Sequence, residues 1–167
     1  MNNSSKIGFG LWFSVVIIIL TALAIWFVVS QKSEKENYQN LSSREAALLC
    51  TTDMATQFHI HSELTILING EKQTIPAEIG ITDGCMNSVH THDTTGTIHI
   101  ESPVKKDFTI GDFFAVWKKE FNQDQILDYK SDATHAVTIT VNGVSVDTYE
   151  NTIMKDDEKI VVSYGVK

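Results

Sequence analysis

Between Lys6 and Lys32 the chain carries no charged residue, and positions 8–29 are apolar almost throughout. A helix over 8–29 rises about 33 Å at 1.5 Å per residue, enough to cross a hydrocarbon core about 30 Å thick. Trp12 and Trp26 lie near its two ends, where indole rings favour the membrane interface. A cleaved secretion signal is the competing reading. It fits less well, because the run is longer than an ordinary signal core, and its small-x-small triplet, Ala22-Leu23-Ala24, is followed by more apolar sequence. The expected organisation is a transmembrane anchor over 1–30, a polar stalk over 31–43, and one folded domain over 44–167.

All 21 acidic residues, and every basic residue except Lys6, lie beyond the apolar run. The folded part is therefore acidic, which argues against a nucleic-acid partner, since such proteins need a basic footprint. Lys6 on one side and Lys32, Lys35 and Arg44 on the other do not set orientation by the basic-residue count. The short N-terminal tail and the cysteine pair place the domain outside the cytoplasmic membrane, in an oxidising space. A lipoprotein anchor is excluded because Cys50 lies far past the apolar run and follows Leu49 rather than a small residue.

Two segments read as β-hairpins. Positions 64–68 and 71–76 flank Asn69-Gly70, and positions 137–141 and 144–149 flank Asn142-Gly143. Asn-Gly between β-rich runs signals a tight turn, because both turn residues must accept positive φ. The likeness of the two segments raises the idea of an internal repeat, although two short copies can also arise by chance. Ser43 is placed to cap a short helix over 44–49. Thr109 opens a second helix, with Ile110, Phe113, Phe114, Trp117 and Phe121 at helical spacing on a core-packing face. A turn at 155–158 and a strand at 160–164 close the chain. The expected fold class is α+β: a mostly antiparallel sheet with one main helix, in a β-grasp-like arrangement.

Five of the six histidines fall between positions 59 and 99. His59 and His61 skip one residue, as do His90 and His92, so in an extended strand each pair projects from one face. His99 sits in the strand-like text Thr97-Ile98-His99-Ile100-Glu101. If 93–96 closes a hairpin in simple register, His90 lies opposite His99 and His92 opposite Thr97. Opposed Cβ atoms stand about 4.5–5.5 Å apart, close enough for two imidazoles to share an ion. A slip of one residue would destroy that opposition. His59 and His61 complete or flank the site if their strand neighbours this hairpin. Glu101 shares a face with His99 and is a further ligand or supporting carboxylate. Asp93 has the same option, but its position suits a turn residue. The sixth histidine, His135, reads as an ordinary surface or hydrogen-bonded residue.

Three or four imidazoles suit copper or zinc, and two with one carboxylate suit non-haem iron. Met54 and Met86 lie near the histidine segments and tilt the choice faintly to copper, although methionine is more often packing material. Cys50 and Cys85 are the only cysteines. Paired, they close a loop of about 36 residues and stabilise the domain by roughly 3–4 kcal/mol on the chain-entropy model. The alternative makes Cys85 a thiolate ligand in a mixed sulfur and nitrogen site.

The order of His59-x-His61, Cys85, His90-Thr91-His92-Asp93, Gly96-Thr97-Ile98-His99-Ile100-Glu101-Ser102-Pro103 and Phe108-Thr109-Ile110-Gly111-Asp112-Phe113-Phe114 is specific. It resembles a group of small, uncharacterised membrane-anchored or secreted bacterial and archaeal proteins. The resemblance covers most of 50–130 and implies that the histidine segments form one module; it implies no activity and no catalytic residue. A cupin motif is excluded, because the next glutamate after His92 is Glu101, too distant for it. Three functional readings follow: an extracytoplasmic protein that captures, carries or senses copper or zinc; a metal-dependent hydrolase or oxidoreductase using the same ion; and a non-catalytic interaction module of a membrane complex.

Overall fold

The computed structural model describes residues 4–52 and 56–167, and Met54 falls outside them. The chain divides into two compact units after Asn40. In the first, helix α1 (Ser4–Asn40) runs unbroken through the apolar segment and on through most of the expected stalk. It is long and apolar enough to cross a membrane. Its large apolar side chains from Trp12 to Val29, all but the half-buried Val16, stand exposed, which is unfavourable in water and favourable in lipid. The Thr21 hydroxyl donates to the Ile18 carbonyl at 2.9 Å, so this polar group is satisfied within the helix.

The second unit starts at Leu41, slightly before the expected boundary at 44. Helix α2 (Ser43–Leu48) is capped by Ser42 rather than Ser43. The reason is spacing. Ser42 has Glu45 three residues on, so the serine side chain accepts the Glu45 amide while the glutamate accepts the Ser42 amide at 2.8 Å. Ser43 has Ala46 at that position and cannot form the reciprocal pair.

Among the described residues, thirteen strands follow in three sheets. The first small sheet joins β1 (Cys50–Thr51), β4 (Ile81–Thr82) and β5 (Cys85–Asn87) in the order β1-β5-β4. The large sheet contains β2 (Phe58–Ile68), β3 (Glu71–Gln73), β6 (Val89–His90), β7 (Thr97–Ser102), β11 (His135–Val141), β12 (Val144–Val146) and β13 (Glu158–Val166). Its order is β12-β11-β13-β2-β7-β6, with β3 also on β2. The third sheet, β8 (Phe121–Asn122), β9 (Gln125–Ile126) and β10 (Tyr129–Lys130), is an antiparallel meander.

The large sheet is mixed. The long first strand β2 and the last strand β13 are parallel neighbours from Ser62 to Ile68, and its other pairings are antiparallel. The opposite edge of β2 is shared. β7 lies along Phe58–Glu63 and β3 along Ile66–Ile68. Both expected hairpins form, with positive φ at Asn69, Gly70, Asn142 and Gly143. They sit on opposite sides of β13, one joined to it through a parallel strand and the other through an antiparallel one. Their contexts therefore differ despite the similar text.

Alternation decides which face is buried. Leu64, Ile66 and Ile68 of β2, Ile98 and Ile100 of β7, Val137 and Ile139 of β11, and Ile160 and Val162 of β13 are all buried. They make up the core with Ile110, Phe113 and Phe114 of α3 (Ile110–Trp117). Thr109 caps α3 through a reciprocal pair with Asp112. The Asp112 carboxylate also accepts from the Arg44 guanidinium at 2.7 Å, which ties α2 to α3. Helix α3 ends sooner than its apolar spacing suggests. Lys118 adopts the left-handed conformation at φ 58°, and Phe121 reaches the core from β8 instead.

Candidate metal centre

The odd-numbered residues of β2 and β7 face away from the core, and this is the face that carries the histidines. In β7, Ile98, Ile100 and Ser102 are buried while Thr97, His99 and Glu101 are partly exposed. Two registers then align the site. His61 pairs with His99, and His99 pairs with His90, so three imidazoles form one row across β2, β7 and β6. His59 stands opposite Glu101 one step further along the same face.

The opposition of His90 to His99 is the one expected from the hairpin text, but the opposition of His92 to Thr97 does not form. The ladder stops at His90 because Thr91 is held elsewhere. Its amide donates to the Ile79 carbonyl at 3.0 Å and its carbonyl accepts from Glu78 at 2.9 Å. Its hydroxyl donates to the Pro76 carbonyl at 2.9 Å and accepts from the Ile79 amide at 3.1 Å. His92 is thereby turned back over the site, and its Nε2 comes to 3.2 Å from Nε2 of His90.

The result is two groups of convergent donors. His90, His92, His99 and Glu101 present ligand atoms within 4.8 Å of one another, and so do His59, His61 and His99. The His99 ring lies 4.5 Å from His61, 4.6 Å from His92 and 5.5 Å from His90, centroid to centroid. Asp93 stands outside both groups. Its Oδ1 accepts the Thr95 amide at 2.9 Å and makes the turn. The Thr95 hydroxyl and amide hold its carboxyl below the usual range.

His90 is fully buried. Its Nδ1 lies 3.0 Å from the Asn87 carbonyl. A carbonyl only accepts, so Nδ1 carries the proton and Nε2 keeps its lone pair toward His92 and Glu101. Burial pushes the His90 pKa from 6.5 down to about 4, against the opposing pull of the Asn87 carbonyl and the Glu101 carboxylate. Burial also lowers His99, helped by the neighbouring His61, His92 and His59. Both rings are therefore neutral at pH 7, the form that binds metal. Glu101 Oε1 lies 3.2 Å from His59 Nε2 and 4.0 Å from His90 Nε2. Its Oε2 accepts from the Thr56 hydroxyl at 3.3 Å.

Distant segments fix the backbone of the site. Asp156 Oδ1 accepts the His61 amide at 2.9 Å, and the Asp157 amide donates to the His61 carbonyl at 2.8 Å. At Gly96, with φ 95°, an added Cβ would fall 2.3 Å from the Leu64 carbonyl oxygen. That close approach accompanies the bond from the Leu64 amide to the Gly96 carbonyl at 2.8 Å. Neither Asp156 nor Gly96 carried a legible functional signal, since their partners are remote in sequence.

Cys50 and Cys85 form a disulfide with Cα atoms 5.4 Å apart. This removes the alternative of Cys85 as a thiolate ligand. Met86 lies in β5 opposite Thr51 and Ile81. His135 is hydrogen-bonded, as expected: its Nδ1 lies 3.2 Å from Asp132 Oδ1 and 2.9 Å from the Thr134 hydroxyl. Protein-family profiles, curated proteins and solved structures, each compared with the chain, contain no match to it.

Proposed function

We propose that this protein is a membrane-anchored, extracytoplasmic transition-metal-binding protein, and that it captures, carries or senses copper or zinc through His90, His92, His99 and Glu101, with His59 and His61 alongside. The observation that carries the reading is the state of His90. It is buried, neutral, locked at Nδ1 by a carbonyl, and aims its free Nε2 at two other donors. Metal-ligating histidines characteristically donate their second ring nitrogen to such a partner. Imidazole donors suit copper and zinc, and with a carboxylate beside them they also admit iron. His92 and His59 are exposed, so an ion held here stays within reach of solvent or of a receiving protein, which favours capture and delivery over a purely structural role.

Helix α1 supplies the membrane anchor in this reading, and the disulfide supports an oxidising location for the domain. The parallel pairing of the first and last long strands, each with its own hairpin, supports a β-grasp-like domain into which β6 and β7 bring the site. Kinship with the small membrane-anchored and secreted proteins of similar motif order is part of the same proposal.

The test is elemental mass spectrometry on the full chain, purified in detergent with its disulfide intact and offered copper(II), zinc and iron(II) in turn. A His90→Ala/His99→Ala variant is run alongside, with its fold checked by circular dichroism. Retention of metal by the native chain and its loss from the folded variant is the expected result. No retention of any of the three ions refutes the proposal.

A further inference from the structure

The five imidazoles converge as two groups, and the only member common to both is His99. Ligands of one ion lie about 2.0–2.2 Å from it, so the donor atoms of a single site stand at most about 4.4 Å apart. Among the described residues, no group of donors within 4.8 Å of one another unites His59 or His61 with His90 or His92. The geometry points to a two-ion centre: one ion held by His90, His92 and Glu101, a second by His59 and His61, and the imidazole of His99 bridging them. This rests on the metal-binding reading above and extends it in stoichiometry and electronic character.

The contrast between His90 and His99 supports the bridge. His90 commits one ring nitrogen to the Asn87 carbonyl and has only Nε2 to offer an ion. His99 makes no such commitment. Its Nδ1 is buried without a hydrogen-bond partner among the described residues, a state that ordinarily costs stability. An ion on each ring nitrogen removes that cost. Position supports the bridge too. β7 is the middle strand, so His99 has His61 on one side and His90 on the other. Coordination through both nitrogens displaces the remaining ring N–H proton to solvent. The Glu101 carboxylate, between His59 and His90, lowers the repulsion between two cations.

Copper(II) makes this readable, because two copper(II) ions joined through one imidazolate couple magnetically. The full chain in detergent is titrated with copper(II) by calorimetry and, in parallel, by electron paramagnetic resonance. The expected result is two equivalents bound, with the signal of the first diminishing as the second enters. A His59→Ala/His61→Ala variant is expected to bind one equivalent with an uncoupled signal. A His59→Gln/His61→Gln pair serves if the alanine variant does not fold. One equivalent on the native chain overturns the bridge and leaves the single-ion reading standing. Two uncoupled equivalents, or two retained by the double variant, overturn it as well. No binding at all overturns both proposals.

Discussion

The neutral, buried state of His90 makes stability in acid a sharp test of the site. The imidazole has a pKa of about 4 in the folded protein and 6.5 as a free side chain. The folded value is the lower one, so on acidification the unfolded chain takes up its proton first. The stabilisation is therefore complete above pH 6.5 and is lost as pH falls toward 4. With these two values, linkage gives a loss of about 2–3 kcal/mol between pH 7.5 and pH 4.5 from this residue alone. His99 is shifted in the same direction and adds to the loss. The depressed carboxyls of Asp93 and Asp132 act in more acid solution, below their ordinary values near 3.8. The assay is urea unfolding of the metal-stripped chain at the two pH values, native against His90→Gln, followed by the circular dichroism of the sheet. Glutamine does not titrate, so its pH-dependent loss should be smaller than the native one by about 2–3 kcal/mol. Equal losses in the two proteins would show that His90 is not held neutral by burial, and the metal-ligand argument built on it would fail.

Replacing both Cys50 and Cys85 by serine opens a loop of sequence separation 35, and the variant should lose about 4 kcal/mol on the chain-entropy model, measured by denaturant midpoint. Gly96→Ala forces a Cβ to within 2.3 Å of the Leu64 carbonyl oxygen at a positive φ. It should cost more than about 2 kcal/mol and weaken metal binding together with stability, since the same contact sets the β2–β7 register. A variant as stable as the native chain would contradict that packing. Arg44→Ala strips the buried Asp112 carboxylate of its cationic partner. Arg44 itself is half-exposed, so a loss of about 2 kcal/mol is expected in thermal or urea unfolding, with metal stoichiometry unchanged.

The legible parts were those whose cause is local. An uncharged run must avoid water whatever the rest of the chain does, and α1 follows directly. Asn-Gly pairs accept positive φ where few other residues do, so both turns were readable to the residue, although β3 and β12 each end three residues sooner than the text suggests. The alternation around His99 placed the imidazole on the solvent face, and the four-residue loop placed His90 opposite it. Local text also misled where two local rules competed. Apolar spacing carried the helix to Phe121, but Lys118 ends it in a left-handed turn. Ser43 looked like a cap, but only Ser42 has a glutamate at the matching spacing.

The sequence by itself thus determined an apolar helix, an α+β domain and a set of strand faces with imidazoles on one side. Tertiary structure decided that those faces meet. The parallel pairing of β2 with β13 joins segments 96 residues apart in register, from Ser62 with Glu158 onward. It brings Asp156 onto the His61 backbone, 95 positions away. The docking of Thr91 on 76–79 turned His92 over His90, and β7 entered between β2 and β6, which made His99 the shared member of both groups. The physical reason is that turn and strand preferences are set by neighbouring dihedrals and side chains. Convergence of donors depends on strand order, which is selected by how the whole core can be buried at once.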